Sequence, residues 1–410
     1  MRLYLRKNTT SPMNFLLFDD SVFAAQLQPF THTRPISHIR CGIFTPAERW
    51  KHSLKSEGQV CASGIAEKCW PKPAVFQGMI LNSAWIPTRE QEARVNHLAE
   101  GEALVSGSVV LAWNTGKEEV HLPENLHPEQ CTVVQEVSDP QLITRPWHIF
   151  SLNGKVIRQD FERVSEGRKS AAIQDPFTKV YAPENVFVEE GVDIKAAIIN
   201  ASEGPVYIGK NAQIQEGSMI KGPFAMLESS VVNMGGKMRP DTTIGPFSKV
   251  GGEINNAVIF GYSNKAHDGF LGNSVIGEWC NLGADTNNSN LKNNYAEVKI
   301  WSYVEEKAIP TGLQFCGLLM ADHSKCGINT MFNTGTVVGV ACNLFDAAFS
   351  PTHIPAFTWG GAVRGFETYR IDKFLEAEER VYARRNKKIE DGYKDLLQHI
   401  FVRELAQERL

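Results

Sequence analysis

The chain has 410 residues, of which 42% are hydrophobic and 21% charged, enough apolar material for two or three domains that each bury a core. No apolar run approaches the length of a membrane-spanning helix, so we expect neither a membrane span nor a secretion signal. The net charge of −4 argues against a nucleic-acid surface, although it leaves room for a local pocket that binds a nucleotide-sized anion.

The first part of the chain, up to about residue 180, has the texture of an α/β domain. Short apolar runs predict three buried strands, at 14–18, 79–82 and 109–113. One amphipathic run predicts a helix at 89–98. Residues 1–12 are interpreted as an upstream start or a flexible leader, since Met13 opens the first strand-like run. Prolines within 140–182 indicate a linker that includes a helix near 156–163.

In the middle of the chain, an aliphatic residue or methionine recurs at every sixth position. The unbroken run is Ile208, Ile214, Ile220, Met226, Val232, Met238, Ile244 and Val250. The same step occurs before it at Val186, Val192 and Ile198, and after it at Phe270, Ile276, Leu282, Met320, Cys326, Phe332, Val338 and Leu344. One apolar side chain in six residues is typical of a prism of short parallel strands, in which equivalent side chains stack from coil to coil.

The eight cysteines are scattered without the close pairs of a metal finger. We interpret Cys280, Cys326 and Cys342 as core or corner residues of the prism. All eight are expected to be the reduced thiols of a cytoplasmic protein.

After Pro355 the apolar residues return to helical spacing in a charged background, which predicts a C-terminal helical tail packed on the prism or on a neighbour. We interpret the charged run Arg380–Lys388 as a solvated helix face rather than an anion site.

The six-residue pattern resembles the left-handed parallel β-helix of hexapeptide-repeat acyltransferases and sugar nucleotidyltransferases. An α/β domain before such a prism is similar to the bifunctional N-acetylglucosamine-1-phosphate uridylyltransferase/glucosamine-1-phosphate acetyltransferase family, of which the chain looks like a divergent branch. The resemblance implies a shortened, Rossmann-like nucleotidyltransferase domain at 13–170, a left-handed parallel β-helix at 180–355 and C-terminal helices at 366–410. It also implies a homotrimer with active sites between prisms.

The sharpest local match lies in the prism. Residues 263–272, SNKAHDGFLG, are similar to the Asn-Lys-Ala-(Gly)-His…Leu-Gly-Asp run of this family, and NLGADT at 281–286 resembles the run that follows it. On this resemblance His267 is the base that takes a proton from a sugar amine, with acetyl-CoA as the acyl donor. Imidazole suits that task because its pKa lies near neutrality.

The same resemblance implies the substrate-binding residues of the acyl-transfer site. Lys299 would pair with a sugar phosphate, Asn290 would hold a hydroxyl, and Lys265 would also contact substrate. Phe270 stands where the family tends to place a tyrosine, which removes one hydroxyl donor from the expected site.

The N-terminal match is the segment 27–36, LQPFTHTRPI, which is similar to the second half of the family's opening signature. Arg34 takes the place of the signature lysine, whereas both glycines of the first half are absent. The resemblance implies a nucleoside triphosphate with Mg²⁺, and Arg34 is expected either as a phosphate contact or, equally, as a structural ion-pair partner. The sequence assigns no metal-binding carboxylates.

Three functions stay open. The chain is interpreted first as a sugar-phosphate transferase that makes UDP-N-acetylglucosamine or a related nucleotide sugar. It could instead transfer only a nucleotidyl group, for example thymidylyl to glucose-1-phosphate. The third alternative is a trimeric scaffold without catalysis that binds a nucleotide sugar.

Overall fold

The computed structural model describes residues 14–407, so the leader assigned to residues 1–12 and Met13 lie outside the described residues. The first part of the chain forms a mixed six-stranded sheet. Its strands, in spatial order, are Gln59–Cys61, Phe15–Phe18, Met79–Asn82, Val109–Asn114, Glu102–Ser106 and Val133–Glu136. The predicted α/β fold class, its three strands and the helix at 89–98 are confirmed, with the helix ending at Asn96.

Five α-helices accompany this sheet: α1 (Ser21–Gln26), α2 (Pro46–Leu54), α3 (Arg89–Asn96), α4 (His148–Ser151) and α5 (Asn153–Ser165). Helices α2 and α3 each begin with a capping box, in which a threonine accepts from a backbone N–H one turn into the helix. Two short ribbons complete the part, Val75–Phe76 with Val120–His121 and Trp85–Ile86 with Gln141–Leu142. The segment predicted as a linker holds α4 and α5, and Val156 and Ile157 of α5 are fully buried.

The middle of the chain is a parallel β-helix of about ten turns, as the six-residue pattern predicts. Its first face holds Lys179–Tyr181, Ile198–Asn200, Met219–Lys221 and Lys237–Met238, and its second holds Val186–Val188, Val206–Ile208, Phe224–Met226, Thr242–Ile244, Leu318–Met320, Thr336–Val338 and His353–Ile354. Two long strands, Glu253–Gly261 and Phe270–Glu278, turn the corner between these two faces. The third face holds Asp193–Ile194, Gln213–Ile214, Val231–Val232, Lys249–Val250, Asn264–Lys265, Asn281–Leu282, Lys325–Cys326, Asn343–Leu344 and Thr358–Gly361.

A further parallel pair, Asn287–Asn288 with Met331–Phe332, contributes Phe332 to the core of the β-helix. Two antiparallel pairs accompany it, Lys299–Ser302 with Lys307–Pro310 and Thr358–Gly361 with Gly365–Thr368. All eight residues of the unbroken six-residue run are at most 2% exposed and belong to one core. Cys280, Cys326 and Cys342 are buried thiols of the same core, as predicted.

The step of six selects the wrong inward residue at two places outside the unbroken run. Ile198 is 45% exposed and Ile199 points inward instead, while Val192 is only partly buried. Likewise Leu271, rather than Phe270, joins the core. In both cases one pair of successive inward positions is five residues apart, Ile194 and Ile199 or Leu271 and Ile276, so a fixed step of six no longer selects the inward residue.

The α/β part docks on the second face of the prism. This face presents an outward column of apolar side chains, among them Val258, Val275 and Leu319, which are fully buried by the N-terminal part. Phe30 lies against Phe260 with ring centroids 5.4 Å apart. Burying such a column removes apolar surface from water and stabilises the arrangement of the two parts.

The chain ends in two helices, α6 (Ile371–Ala383) and α7 (Asp391–Gln407), which cover the prism next to the α/β part. Glu378 of α6 is fully buried and accepts from His323 at 2.7 Å and from Lys325. The predicted C-terminal helices are confirmed, whereas the division at 13–170, 180–355 and 366–410 stays a prediction. Across residues 14–407, none of the helices has the length and apolarity that a membrane crossing requires.

Candidate functional site

The loop that carries His267 lies at a corner of the prism, between the strands Asn264–Lys265 and Phe270–Glu278. The His267 side chain is exposed. Lys265 occupies the inward position that Val250 holds in the neighbouring coil, and it is only 1% exposed. Its Nζ donates hydrogen bonds to the backbone carbonyls of His267 at 2.6 Å and Asp268 at 2.9 Å. A buried ammonium therefore fixes the backbone from which the imidazole projects.

Burial lowers the pKa of Lys265 to about 8, partly offset by the nearby carboxylate of Asp268. The side chain is thus still charged at neutral pH, where its hydrogen bonds to the loop are charge-assisted and strong. A lysine in a column of aliphatic residues is costly for the fold. Because Lys265 lies under the loop, its role is to support the backbone of His267.

The next coil fastens the other end of the loop. The Asp285 N–H donates to the Asp268 carbonyl at 3.1 Å, and Asn287 Oδ1 accepts from the Phe270 N–H at 2.8 Å. The His267 loop is therefore held from below by Lys265 and from the side by the segment that begins at Asn281.

Asn290 and Lys299 follow on this side of the prism. Asn290 is half-buried, and its Nδ2 donates to Asn273 Oδ1 at 2.8 Å. Lys299 is exposed at the start of the antiparallel hairpin. Within residues 14–407, no hydrogen bond or ion pair joins His267 to Asn290 or Lys299. Asn273 was missed from the sequence, although it stands where the family motif has an aspartate after Leu-Gly.

The segment before residues 27–36, where the family signature has its glycines, has a different structure. In place of a glycine-rich loop the chain forms α1, and Asp20 caps it: Asp20 Oδ1 accepts from the N–H groups of Val22 at 2.9 Å and Phe23 at 3.1 Å. The N–H of Ser21 donates to Asn125 Oδ1 at 2.8 Å. These N–H groups, which would have to hold phosphate oxygens, are already bonded to side chains of the chain itself.

The carboxylates expected for Mg²⁺ are not assembled at this strand end. Asp19 is 3% exposed, its Oδ2 accepts from the Ile36 N–H at 2.8 Å, and burial raises its pKa to about 7. Among residues 14–407, no three His, Cys, Asp or Glu side chains are grouped as a metal site. Mg²⁺ prefers ionised carboxylates, whereas Asp19 is buried with its pKa raised and Asp20 caps α1, so these two carboxylates do not fit the metal in this structure.

Arg34 is engaged by the prism. Its guanidinium pairs with Asp322, lies 3.4 Å from Glu278 Oε1 and sits over the Phe260 ring at 5.1 Å. Burial alone would lower the pKa of Arg34, but the carboxylates of Asp322 and Glu278 outweigh it and raise that pKa. Of the two roles expected for Arg34, the ion-pair role is the one with partners in the structure.

Comparison with known proteins gives partial matches. Residues 15–169 match the family model described as sugar nucleotidyl transferase. The chain is 31% identical over 163 residues to the bifunctional sugar-1-phosphate nucleotidylyltransferase/acetyltransferase of Sulfurisphaera tokodaii, covering 39% of the chain and 38% of that protein. It is 31% identical over 107 residues to the bifunctional protein GlmU of Methanocaldococcus jannaschii, covering 26% of each.

Among solved structures, the polysialic-acid-specific acetyltransferase NeuO aligns with 53% of the chain and 99% of its own length, at 14% identity and a TM-score of 0.28. The chain spans only 38% and 26% of the length of these two curated relatives. Residues 15–169 thus resemble the sugar nucleotidyl transferase family, and parts of the chain are similar to GlmU-like nucleotidyltransferase/acetyltransferase proteins.

Proposed function

We propose that the chain is a sugar-phosphate transferase of nucleotide-sugar synthesis whose prism transfers an acyl group to a sugar amine. The observation that carries this proposal is the buried Lys265 ammonium, which occupies a core position of a coil and fixes the backbone of the His267 loop. A loop that only closed a turn would need no charged group in the core, because an aliphatic residue stacks there at lower cost.

In the proposed reaction the amine nitrogen attacks the thioester carbonyl of acetyl-CoA, and His267 accepts the amine proton as the N–C bond forms. The C–S bond then breaks, and the proton passes from the imidazole to the leaving thiolate. The side chain of His267 is exposed, so bound substrates can reach the imidazole. Lys299 would pair with the sugar phosphate and Asn290, oriented by Asn273, would hold a sugar hydroxyl.

The proposed substrate is an amino sugar-1-phosphate, and the proposed product of this chain is its N-acetyl derivative, a precursor of UDP-N-acetylglucosamine or a related nucleotide sugar. The family model and the relatives that parts of the chain match support this class. We propose a homotrimer as the working assembly. Exposed apolar side chains on the first prism face favour it, since Ile198 and Met219 are neighbours in register and are 45% and 44% exposed.

For the N-terminal part we propose the third alternative, binding of a nucleotide sugar without nucleotidyl transfer. The bonds from Asp20 to the first N–H groups of α1 favour it, because those groups are no longer free to hold a triphosphate. Arg34, paired with Asp322, is likewise not free to oppose charge that develops during transfer. Transfer of a nucleotidyl group alone is therefore the less favoured function.

A matched pair of assays tests the proposal. The full chain is incubated with glucosamine-1-phosphate and acetyl-CoA while free thiol is measured, and separately with sugar-1-phosphates and each nucleoside triphosphate while pyrophosphate is measured. We expect thiol release that depends on the amino sugar, and no pyrophosphate. Pyrophosphate release without thiol release would overturn the proposal in favour of the nucleotidyltransferase alternative, and neither product would leave the scaffold.

A further inference from the structure

The hairpin that carries Lys299 has one buried side and one exposed side. At its start, Val298 and Ile300 are at most 2% exposed, whereas Lys299 between them is exposed. Val298 and Ile300 belong to one apolar core with Phe30 of the α/β part and Val337 of the prism. The hairpin is therefore packed against both parts of the chain, and its exposed side carries the lysine.

Tyr303, in the turn of the hairpin, is contacted by both parts. Its ring lies nearly perpendicular to that of His32 of the α/β part, with centroids 5.4 Å apart. It is also nearly perpendicular to the ring of His353, on the second face of the prism, at 5.5 Å. Trp301 stacks on the same His353 ring at 4.2 Å. The turn of the hairpin thus joins an imidazole of the α/β part to an imidazole of the prism.

These contacts are made by uncharged rings. Burial lowers the pKa of His32 to about 3, with a smaller contribution from the charge of Arg403. Burial likewise lowers the pKa of His353 to about 4. Both imidazoles are therefore neutral at pH 7, and ring packing rather than ion pairing joins them to Tyr303.

Polar interactions add little at this contact. His32 Nδ1, the Tyr303 hydroxyl and His353 Nε2 are buried without a hydrogen-bond partner among residues 14–407. Arg145 and Glu305 form an ion pair next to Tyr303, but its atoms are 3.8 Å apart and both side chains are partly exposed, so it contributes little. The attachment of the hairpin turn to the α/β part therefore depends mainly on the Tyr303 ring.

We propose that the α/β part is a positioning element of the acyl-transfer site, which holds, through Tyr303, the hairpin on which Lys299 lies. The inference rests on the proposed role of Lys299 in binding the sugar phosphate. Lys299 begins the strand that leads into the turn with Tyr303, so a displaced turn also displaces the lysine. Tyr303 is then a positioning residue, and the α/β part has a role in acyl transfer that requires no nucleotidyl transfer.

Steady-state kinetics of the full chain test the role of the Tyr303 ring. Tyr303→Ala should raise the KM for glucosamine-1-phosphate about tenfold and leave the KM for acetyl-CoA unchanged, because Lys299 is assigned only to the sugar phosphate. Tyr303→Phe keeps the ring against both imidazoles and should keep both wild-type values. The control Val304→Ala, in the same turn with a side chain 51% exposed, should also keep them. An unchanged KM for the amino sugar in Tyr303→Ala, or an equal rise of both KM values, would overturn the proposal.

Substitution of His32 tests the same contact from the α/β part. His32→Ala should raise the KM for the amino sugar, whereas His32→Phe, which keeps a ring against Tyr303, should not. In the double variant of His32→Ala with Tyr303→Ala, this KM should be no higher than in Tyr303→Ala alone, because the contact is already lost. If the two rises multiply, His32 acts independently of Tyr303, which contradicts the proposal.

Hydrogen exchange separates this inference from the proposed function, since it requires no substrate. In folded Tyr303→Ala, the backbone amides of Lys299–Ser302 should exchange about tenfold faster than in the wild type or in Tyr303→Phe. Unchanged exchange would overturn the positioning role even in a chain that transfers acyl groups. Faster exchange in a chain without acyl transfer would support the hold on the hairpin and contradict the proposed function.

Discussion

Arg34 of the α/β part and Asp322 of the prism form a buried ion pair, although they lie 288 positions apart in the sequence. Asp322 also accepts from the Glu278 N–H at 2.7 Å, so one carboxylate joins two coils of the prism and the docked N-terminal part. Burial would raise the pKa of Asp322, but Arg34 outweighs it and lowers that pKa. The pair therefore stays charged at neutral pH and holds the two parts in one register.

Removing one partner of this pair leaves an uncompensated buried charge. We predict that Arg34→Met lowers the free energy of unfolding by about 3–5 kcal/mol in urea titrations. The double variant with Asp322→Asn should recover part of that loss, because the remaining charge is removed while an oxygen stays to accept from Glu278. If the loss in the double variant equals the sum of the losses in Arg34→Met alone and Asp322→Asn alone, the two side chains do not interact as an ion pair.

Replacing Lys265 should affect the stability and the activity of the chain differently. At pH 7 the folded chain bears the cost of a buried ammonium, so Lys265→Met should not lower the free energy of unfolding. The same variant releases the His267 loop, and we predict a loss of acyl transfer of about ten- to a hundredfold, the size expected for a misplaced catalytic group. A variant with full activity would show that the loop needs no support from below.

The pH dependence of stability gives a second check on Lys265. The pKa of Lys265 is about 8 in the folded chain, against 10.5 for an unperturbed lysine. Above pH 8 the unfolded chain therefore binds more protons at this site than the folded chain does. The free energy of unfolding of the wild type, relative to Lys265→Met, should therefore rise by roughly 1 kcal/mol per pH unit between pH 8 and 9.5. A flat difference would show that the ammonium is not desolvated.

Asp20 is predicted to act as a helix cap and not as a metal ligand. Asp20→Ala should cost about 1 kcal/mol of stability because two N–H groups of α1 lose their acceptor, whereas Asp20→Asn should cost less. Asparagine keeps a side-chain oxygen that can accept the same two hydrogen bonds, and urea titrations of both variants measure the difference. A loss of stability in Asp20→Asn as large as in Asp20→Ala would contradict the capping role.

The prism could be predicted because its core repeats locally. Each residue from Ile208 to Val250 that the step of six selects is in contact with its own copy one coil away, so a short sequence pattern carries the packing. The same rule failed at Ile198 and Phe270, because two successive inward positions there are five residues apart.

The candidate sites were predictable only where a motif is contiguous. The resemblance around Ser263–Gly272 located the His267 loop, but it could not show that Lys265 points into the core, because that depends on the register with Val250. The Arg34–Asp322 pair was not predictable, since it arises when distant segments dock. No local pattern encodes which face of the prism the α/β part covers.

The central claim, that His267 is the base of an acyl transfer, is tested most directly by one comparison. Thiol release from acetyl-CoA with glucosamine-1-phosphate is measured for the wild type, for His267→Ala and for the control His121→Ala, which removes an exposed histidine of the α/β part. We predict that His267→Ala loses release by about a hundredfold or more while His121→Ala keeps the wild-type rate. Release by a folded His267→Ala chain at the wild-type rate would contradict the account.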